Sequence, residues 1–211
     1  MPVRTPDPSQ TRASGVHALG FTGDDSALAR ALRRGHPGAP AALFDRYGRH
    51  VEGVLINLLG FDGEHEDLLH EIFAQALTCI NKLQDDERLK AWLTSIAVHT
   101  ARSCLRRRQR FRLFLRRAAQ QDLPVSVADA ETRRAVGRVY RLLERMPTEL
   151  RLAFALRFIQ GMELTEVAAA CDVSLATIKR RLAKARRRFM LAARGDSALA
   201  SWVVPDQEGQ R

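Results

Sequence analysis

The sequence predicts an all-α fold of two small helical domains joined by a flexible linker, and three observations predict it. Apolar residues recur at steps of three and four through most of the chain, the spacing that lines one side of a helix. One stretch with no clear period, Ala118 to Asp129, interrupts them and carries Gln120, Gln121, Asp122, Pro124 and Ser126. Beyond it, Leu164 to Phe189 reads LTEVAAACDVSLATIKRRLAKARRRF: a short apolar helix, a tight turn, then a densely basic helix. That order is the helix-turn-helix plan, whose second helix enters the DNA major groove. The expected limits are a tail over 1–23, a first helical domain over 24–112, a linker over 113–130, a second domain over 131–194 and a tail over 195–211.

Composition narrows the class. The 211 residues are 45% hydrophobic, enough for packed cores, and carry a formal charge of +10 with a pI near 10.6. That balance points to a polyanionic partner, of which nucleic acid is the commonest. Cys79, Cys104 and Cys171 are odd in number and widely spaced, so they form neither a disulfide framework nor a zinc motif. Burial on a helix accounts for Cys104 better than redox chemistry does, although the neighbouring arginines would favour a thiolate. The N-terminus has Arg4 and Arg12 without an apolar segment behind them, and no apolar run approaches the ~20 residues that span a bilayer. A soluble, cytoplasmic protein without membrane insertion is expected.

Taken in order, the elements begin after a Pro-containing tail. Asp24 and Asp25 start a helix with Leu28 and Leu32, ended by Gly35, Pro37 and Pro40. Leu43, Phe44, Tyr47, Val51, Val54, Leu55 and Leu58 line a second, closed by Gly60. From Glu64 to Ile80, Leu68, Leu69, Ile72, Phe73, Ala76, Leu77 and Ile80 form a wide apolar stripe opposite Asp67, His70, Glu71 and Gln75. Between Asp62 and Arg88 there are eight acids and two bases, an acidic segment in a basic protein. Such a reversal suits a protein-partner face better than a DNA face.

HEDLLHE within this segment invites a metal-site reading, which geometry rejects. A helical HExxH places its histidines four residues apart on one face. His65 and His70 are five apart, roughly 140° around a helix, so no metal or cofactor is expected.

A further helix starts near Arg88, with Leu89, Trp92, Leu93, Ile96, Thr100 and Leu105 facing inward. Towards its end come Arg102, Arg106, Arg107, Arg108, Arg110, Arg112, Arg116 and Arg117, with no acid among them. A helix C-terminus favours basic residues, but eight exceed what a dipole needs. Interleaved with Phe111 and Phe114, they form a phosphate-binding surface beside possible stacking groups.

The second domain has Val136, Val139, Leu143 and Met146 on one helix, ended by Pro147. Leu150, Phe154 and Phe158 lie on another, which Gly161 stops. In the helix-turn-helix, Asp172 occupies the turn, where Asp tolerates the left-handed conformation. Ser174 stands at the N-cap. Ile178, Leu182, Ala185 and Phe189 make one stripe, and Lys179, Arg180, Lys184, Arg186, Arg187 and Arg188 fan over the rest.

These motifs together resemble the extracytoplasmic-function group of the sigma-70 family of bacterial RNA polymerase sigma factors, which keep regions two and four. EDLLHEIFAQAL at Glu66 to Leu77 is similar to the family's E-D-L-x-Q-E-x-F signature. LKAWLTSIAVHTARSCLRRR at Leu89 to Arg108 is similar to its W-L-x-x-I-A-x-N-x-x-x-D-x-x-R stretch. MPTELRLAFALRFIQGMELTEVAAACDVSLATIKRRLAKARRR at Met146 to Arg188 resembles the region-four pattern L-P-x-x-x-R-x-x-F-x-L-R-x-x-x-G-x-S-x-x-E-I-A followed by S-x-G-T-V-K-S-R-L-x-R-A. The resemblance spans about Ala27 to Arg194.

What the resemblance implies is a subunit that binds core RNA polymerase and directs transcription initiation. Asp67, Leu68, His70, Glu71 and Ala74 would dock on the β′ clamp coiled coil. Trp92, His99, Arg102, Ser103, Arg106 and Arg107 would meet the promoter −10 element. Ser174, Thr177, Lys179, Arg180, Arg181, Lys184 and Arg187 would meet the −35 element. An anti-sigma factor is an expected further partner; no cofactor and no catalysis belong to the chain. His70, His99 and Ser103 depart from the family's usual Gln, Asn and Asp, and Arg180 replaces a common Ser. Glu163 replaces a common N-cap Ser, which is expected to weaken that cap by ~1 kcal/mol. The competing readings are a free-standing helix-turn-helix regulator, which the acidic segment disfavours, and a metal-dependent hydrolase centred on His65 to Glu71.

Overall fold

Asp24 opens the first helix: its carboxylate accepts from the Ala27 amide at 2.7 Å, satisfying one of the donors that a helix start leaves free. This helix, α1 (Asp25–Arg33), turns Leu28, Ala29 and Leu32 inward. The computed structural model of the chain describes residues 21–60, 64–118 and 131–194, with side chains for 21–60, 64–111 and 137–194. The expected tails therefore fall outside it, apart from residues 21–23.

Pro40 stands in the first turn of α2 (Ala39–Leu59), where its missing N–H costs nothing. Gly60 ends the helix at φ 83°, a value that glycine reaches without strain. Next come α3 (His65–Cys79), two single 3₁₀ turns over Ile80–Lys82 and Asp86–Arg88, and the long α4 (Leu89–Ala118). Arg33 pins the connection from α1, with Nη2 donating to Leu83 O at 2.6 Å and Nη1 to Asp86. The first domain was expected to end at Arg112, but α4 continues to Ala118; residues 119–130 of the expected linker lie outside the described residues.

The second unit comprises α5 (Glu131–Glu144), α6 (Thr148–Phe154) with a π turn over Ala155–Ile159, α7 (Leu164–Cys171) and α8 (Leu175–Arg194). Asp172 joins the last two at φ 55° and ψ 53°, the left-handed cap expected of it. The cap at Glu163 differs from expectation. Its amide donates to Glu166 Oε2 at 2.8 Å, so the acid three residues on supplies the backward half of a capping box. A missing Ser is thereby partly offset.

Helix α4 is the axis of the molecule. It packs on α2, α3 and α1 on one side and on α7 and α6 on the other. One continuous apolar cluster accordingly runs from Leu28, Leu55 and Leu93 to Leu152, Leu156, Val167, Cys171 and Ile178. A smaller one holds Leu143, Met146, Leu150, Phe154 and Ala185. The two helical units thus share a core.

Polar contacts seal the junction at the end of α2. Arg151, 4% exposed, donates to Leu58 O at 3.0 Å and Leu59 O at 2.9 Å. Tyr140 donates its hydroxyl to Ile56 O at 3.1 Å, and Asn57 donates to Gln160. A helix C-terminus leaves carbonyls such as those of Leu58 and Leu59 without intrahelical partners, and here the second unit provides the donors; Ile56 O also accepts from the Gly60 amide at 2.8 Å.

Candidate nucleic-acid interface

The helix-turn-helix presents its second helix through a short chain of hydroxyls. Thr177 N donates to Ser174 Oγ at 3.3 Å, the N-cap bond expected of Ser174. The two hydroxyls lie 2.9 Å apart, and Arg180 Nη2 reaches Thr177 Oγ1 at 3.4 Å. Ser174, Thr177 and Arg180 therefore form one ridge at steps of three. Lys179, Lys184 and Arg187 are exposed. Ile178 and Ala185 are fully buried, and Leu182 nearly so, which fixes the opposite side of α8 to the core. No acid occurs between Leu175 and Arg194, so nothing on α8 itself cancels its field.

Arg181 departs from the group. Its side chain is 22% exposed, and Nη1 lies 2.9 Å from Glu149 Oε2. It is expected to meet the −35 element with its neighbours, and in the free chain it rests against α6.

On α4 the expected contacts are spread between solvent and the junction. Ser103 and Arg106 are exposed and, with Gln109 and Arg110, line a shallow groove. Trp92 is half-buried against the core. His99 Nδ1 lies 3.2 Å from Arg102 Nη1. Partial burial, and then the Arg102 charge, hold His99 below its ordinary pKa, against the opposing pull of Asp172 and Glu149. A neutral ring can then accept from the guanidinium. Arg102 is more engaged still, donating from Nη2 to Cys171 O at 2.9 Å. Arg107 and Arg108 reach back to Glu64, the latter at 2.6 Å, and Arg108 is the main reason the Glu64 carboxyl is held below its usual range. Phe111, one of the expected stacking groups, is 60% exposed; the Phe114 side chain lies outside the described residues.

The acidic helix α3 exposes Asp67, His70, Glu71 and Ala74 together, whereas Leu68 turns into the core at 5% exposed. Two neighbours assigned to the core, Phe44 and Leu77, are instead 41% and 39% exposed. An apolar stripe as wide as that of α3 exceeds what its packing partners cover. Among the described residues there is no group of three His, Cys, Asp or Glu that could hold a metal ion, and no helix long and apolar enough to cross a membrane.

Two functional candidates escaped the sequence reading: Glu149 and Arg151. An acid in the first turn of a helix is explained by the helix dipole alone, and Arg151 stands at the arginine of the region-four pattern with no role read for it. Both make their contacts with residues far away in sequence.

The fold and this surface define a two-part helix-turn-helix DNA-binding protein with an acidic face set apart from its basic helices. Residues 43–111 match the family described as Sigma-70 region 2, and residues 137–189 match Sigma-70, region 4. Together these take in more than half of the chain, which belongs to the sigma-70 family and is a sigma factor of the extracytoplasmic-function type, directing transcription initiation. Among its relatives, the ECF RNA polymerase sigma-E factor of Escherichia coli (strain K12) is 27% identical over 175 residues, spanning 77% of this chain and 90% of the relative. The RNA polymerase sigma-H factor of Pseudomonas aeruginosa is 24% identical over 181 residues with the same coverage. Two solved structures share the fold. CnrH, in complex with the cytosolic domain of CnrY, gives a TM-score of 0.59 at 21% identity, covering 82% of this chain and 99% of that one. The sigma factor RpoE of Bartonella quintana, in complex with the anti-sigma factor NepR, gives 0.55 at 21% identity, covering 74% and 97%.

Proposed function

We propose that the chain docks on core RNA polymerase through Asp67, His70 and Glu71 of α3 and contacts promoter DNA through α8 and α4. The observation that carries this reading is the separation of charge. An exposed acidic face and an exposed acid-free helix stand on different elements of one chain, so a protein and a nucleic acid can be engaged at once. Ser174, Thr177, Lys179, Arg180 and Lys184 meet the −35 element, with Arg187 towards phosphate. Trp92, His99 and Ser103 meet the −10 element, and Arg102, Arg106, Arg107 and Arg181 join once their present partners are released. Ala74 adds a small side chain to the docking face, while Leu68 supports that face from the core.

The chain supplies addresses and the polymerase supplies the chemistry, so it acts in the cytoplasm and has no catalytic residue. The complexes of CnrH with CnrY and of RpoE with NepR support placing an anti-sigma partner here as well. Run-off transcription with purified core polymerase tests the reading. Promoter-dependent transcripts are expected from fragments of its own genome, and none from any fragment would sink it. Tight sequence-specific binding of DNA by the chain alone would favour the free-standing regulator.

A further inference from the structure

One carboxylate ties the two candidate DNA-facing helices together. Glu149, in the first turn of α6, places Oε1 2.9 Å from Arg106 Nη2 and 3.4 Å from Arg102 Nε on α4. Its other oxygen lies 2.9 Å from Arg181 Nη1 on α8. Arg102 and Arg181 are 13% and 22% exposed, so the cluster is shielded from solvent on two sides. Arg102 extends the tie by donating to Cys171 O at the end of α7, a place where helix carbonyls favour a cation. Gln109 donates to Met146 O at 3.0 Å, holding α4 against the entry to α6.

We propose that Glu149 is a latch that, beside the apolar core the two units share, holds the free chain closed while occupying three arginines the DNA reading needs. The role given to those arginines rests on the function proposed above; the closure rests only on these ion pairs and on the shared core. Three guanidinium groups around one carboxylate leave an excess of positive charge, and DNA phosphates compete for those groups directly. While the latch holds, Arg102 lies under α7 and α8 is fixed against α6, so the two helices cannot spread over separated promoter elements. A partner that pulls the units apart frees both surfaces together. DNA affinity of the isolated chain is lowered in proportion to the fraction that is closed.

The test uses the full chain, wild type and with Glu149→Gln or Glu149→Asp, in small-angle X-ray scattering and in binding to a mixed-sequence DNA duplex. Aspartate keeps the charge and suits a first helical turn, but it is one methylene too short to bridge all three arginines. Both variants are expected to keep the helix content of the wild type by circular dichroism, to raise the radius of gyration, and to bind the duplex roughly five- to twentyfold more tightly. A wild-type chain already as extended as the variants would overturn the latch. So would an aspartate variant that binds like wild type while the glutamine variant binds better, since removal of a repelling charge would then explain the gain. Variants that open with no change in DNA binding would uphold the latch and overturn the assignment of Arg102, Arg106 and Arg181 to DNA.

Discussion

Arg151 donates to the carbonyl of Leu59 at 2.9 Å across the junction of the two helical units. The guanidinium is nearly sealed from water and serves Leu58 O as well, so it caps a helix to which it does not belong. Replacing it with methionine keeps most of the volume but leaves two carbonyls without these donors. Hydrogen bonds to a charged group are worth about 1.5–3 kcal/mol each, and the losses overlap, so Arg151→Met is expected to cost about 2–4 kcal/mol. Urea unfolding monitored by far-ultraviolet circular dichroism measures it. A loss under about 0.5 kcal/mol, the scale of an ordinary surface change, would show that the junction does not depend on this residue.

A pH dependence follows from His50 and His99. His50 Nε2 lies 2.9 Å from Thr94 Oγ1, and that hydroxyl gives its own proton to Lys90 O at 2.9 Å. Nε2 is therefore the donor, which a neutral ring provides. Burial, and then Lys90, push the His50 pKa below its ordinary 6.5; burial and Arg102 do the same to His99. Below about 6.5 the unfolded chain binds protons that the folded chain refuses, so stability is full above that value and declines as pH falls towards the folded pKa values. The melting temperature is expected to drop between about pH 7.5 and about pH 5.5, and His50→Gln to flatten the slope. An unchanged slope in that variant would remove His50 from the account. The lowered carboxyl of Glu64 acts in the same direction at more acid pH, where its ion pairs with Arg107 and Arg108 are lost.

Helical periodicity made most of the core legible. Ile178, Leu182 and Ala185 were placed on one stripe and are buried, and Asp172 was placed in a left-handed turn and adopts one. What remained hidden depends on contacts between units. Arg151 meets residues 92 and 93 positions away, and Arg106 meets Glu149 43 positions away. A run of arginines also looks uniform in sequence, whereas its members divide in space: Arg107 and Arg108 serve Glu64, Arg102 serves Cys171 O and Glu149, and Arg110 faces outward. Phe44 and Leu77 erred the other way, because an apolar period reports which side of a helix faces the core and not where the core ends.

The acidic face of α3 yields a prediction about polymerase. Asp67 and Glu71 are four residues apart and exposed, one above the other on the same side. Because neither supports the core, Asp67→Lys with Glu71→Lys is expected to leave helix content unchanged while reversing the charge of the face. Pull-down of core polymerase should fall at least tenfold, the effect of losing about 1.4 kcal/mol. Full retention of core by the folded double variant would move the docking face elsewhere.

Arg180 and Lys184 distinguish base reading from phosphate binding on α8. They are four residues apart on its exposed side, and Arg180 alone is steadied by Thr177 Oγ1 at 3.4 Å. A side chain held in one orientation can present a fixed pair of donors to a guanine edge, whereas a free ammonium acts as a point charge. Arg180→Ala is therefore expected to cost about 1–3 kcal/mol at a cognate −35 site and to relax the preference there. Lys184→Ala should weaken cognate and unrelated duplexes alike, and lower the slope of log affinity against log salt by about 1. The measurement is a salt titration of holoenzyme binding on both templates. Equal losses from Arg180→Ala on cognate and unrelated DNA would reassign Arg180 to phosphate and leave base reading to the Ser174–Thr177 end of the helix.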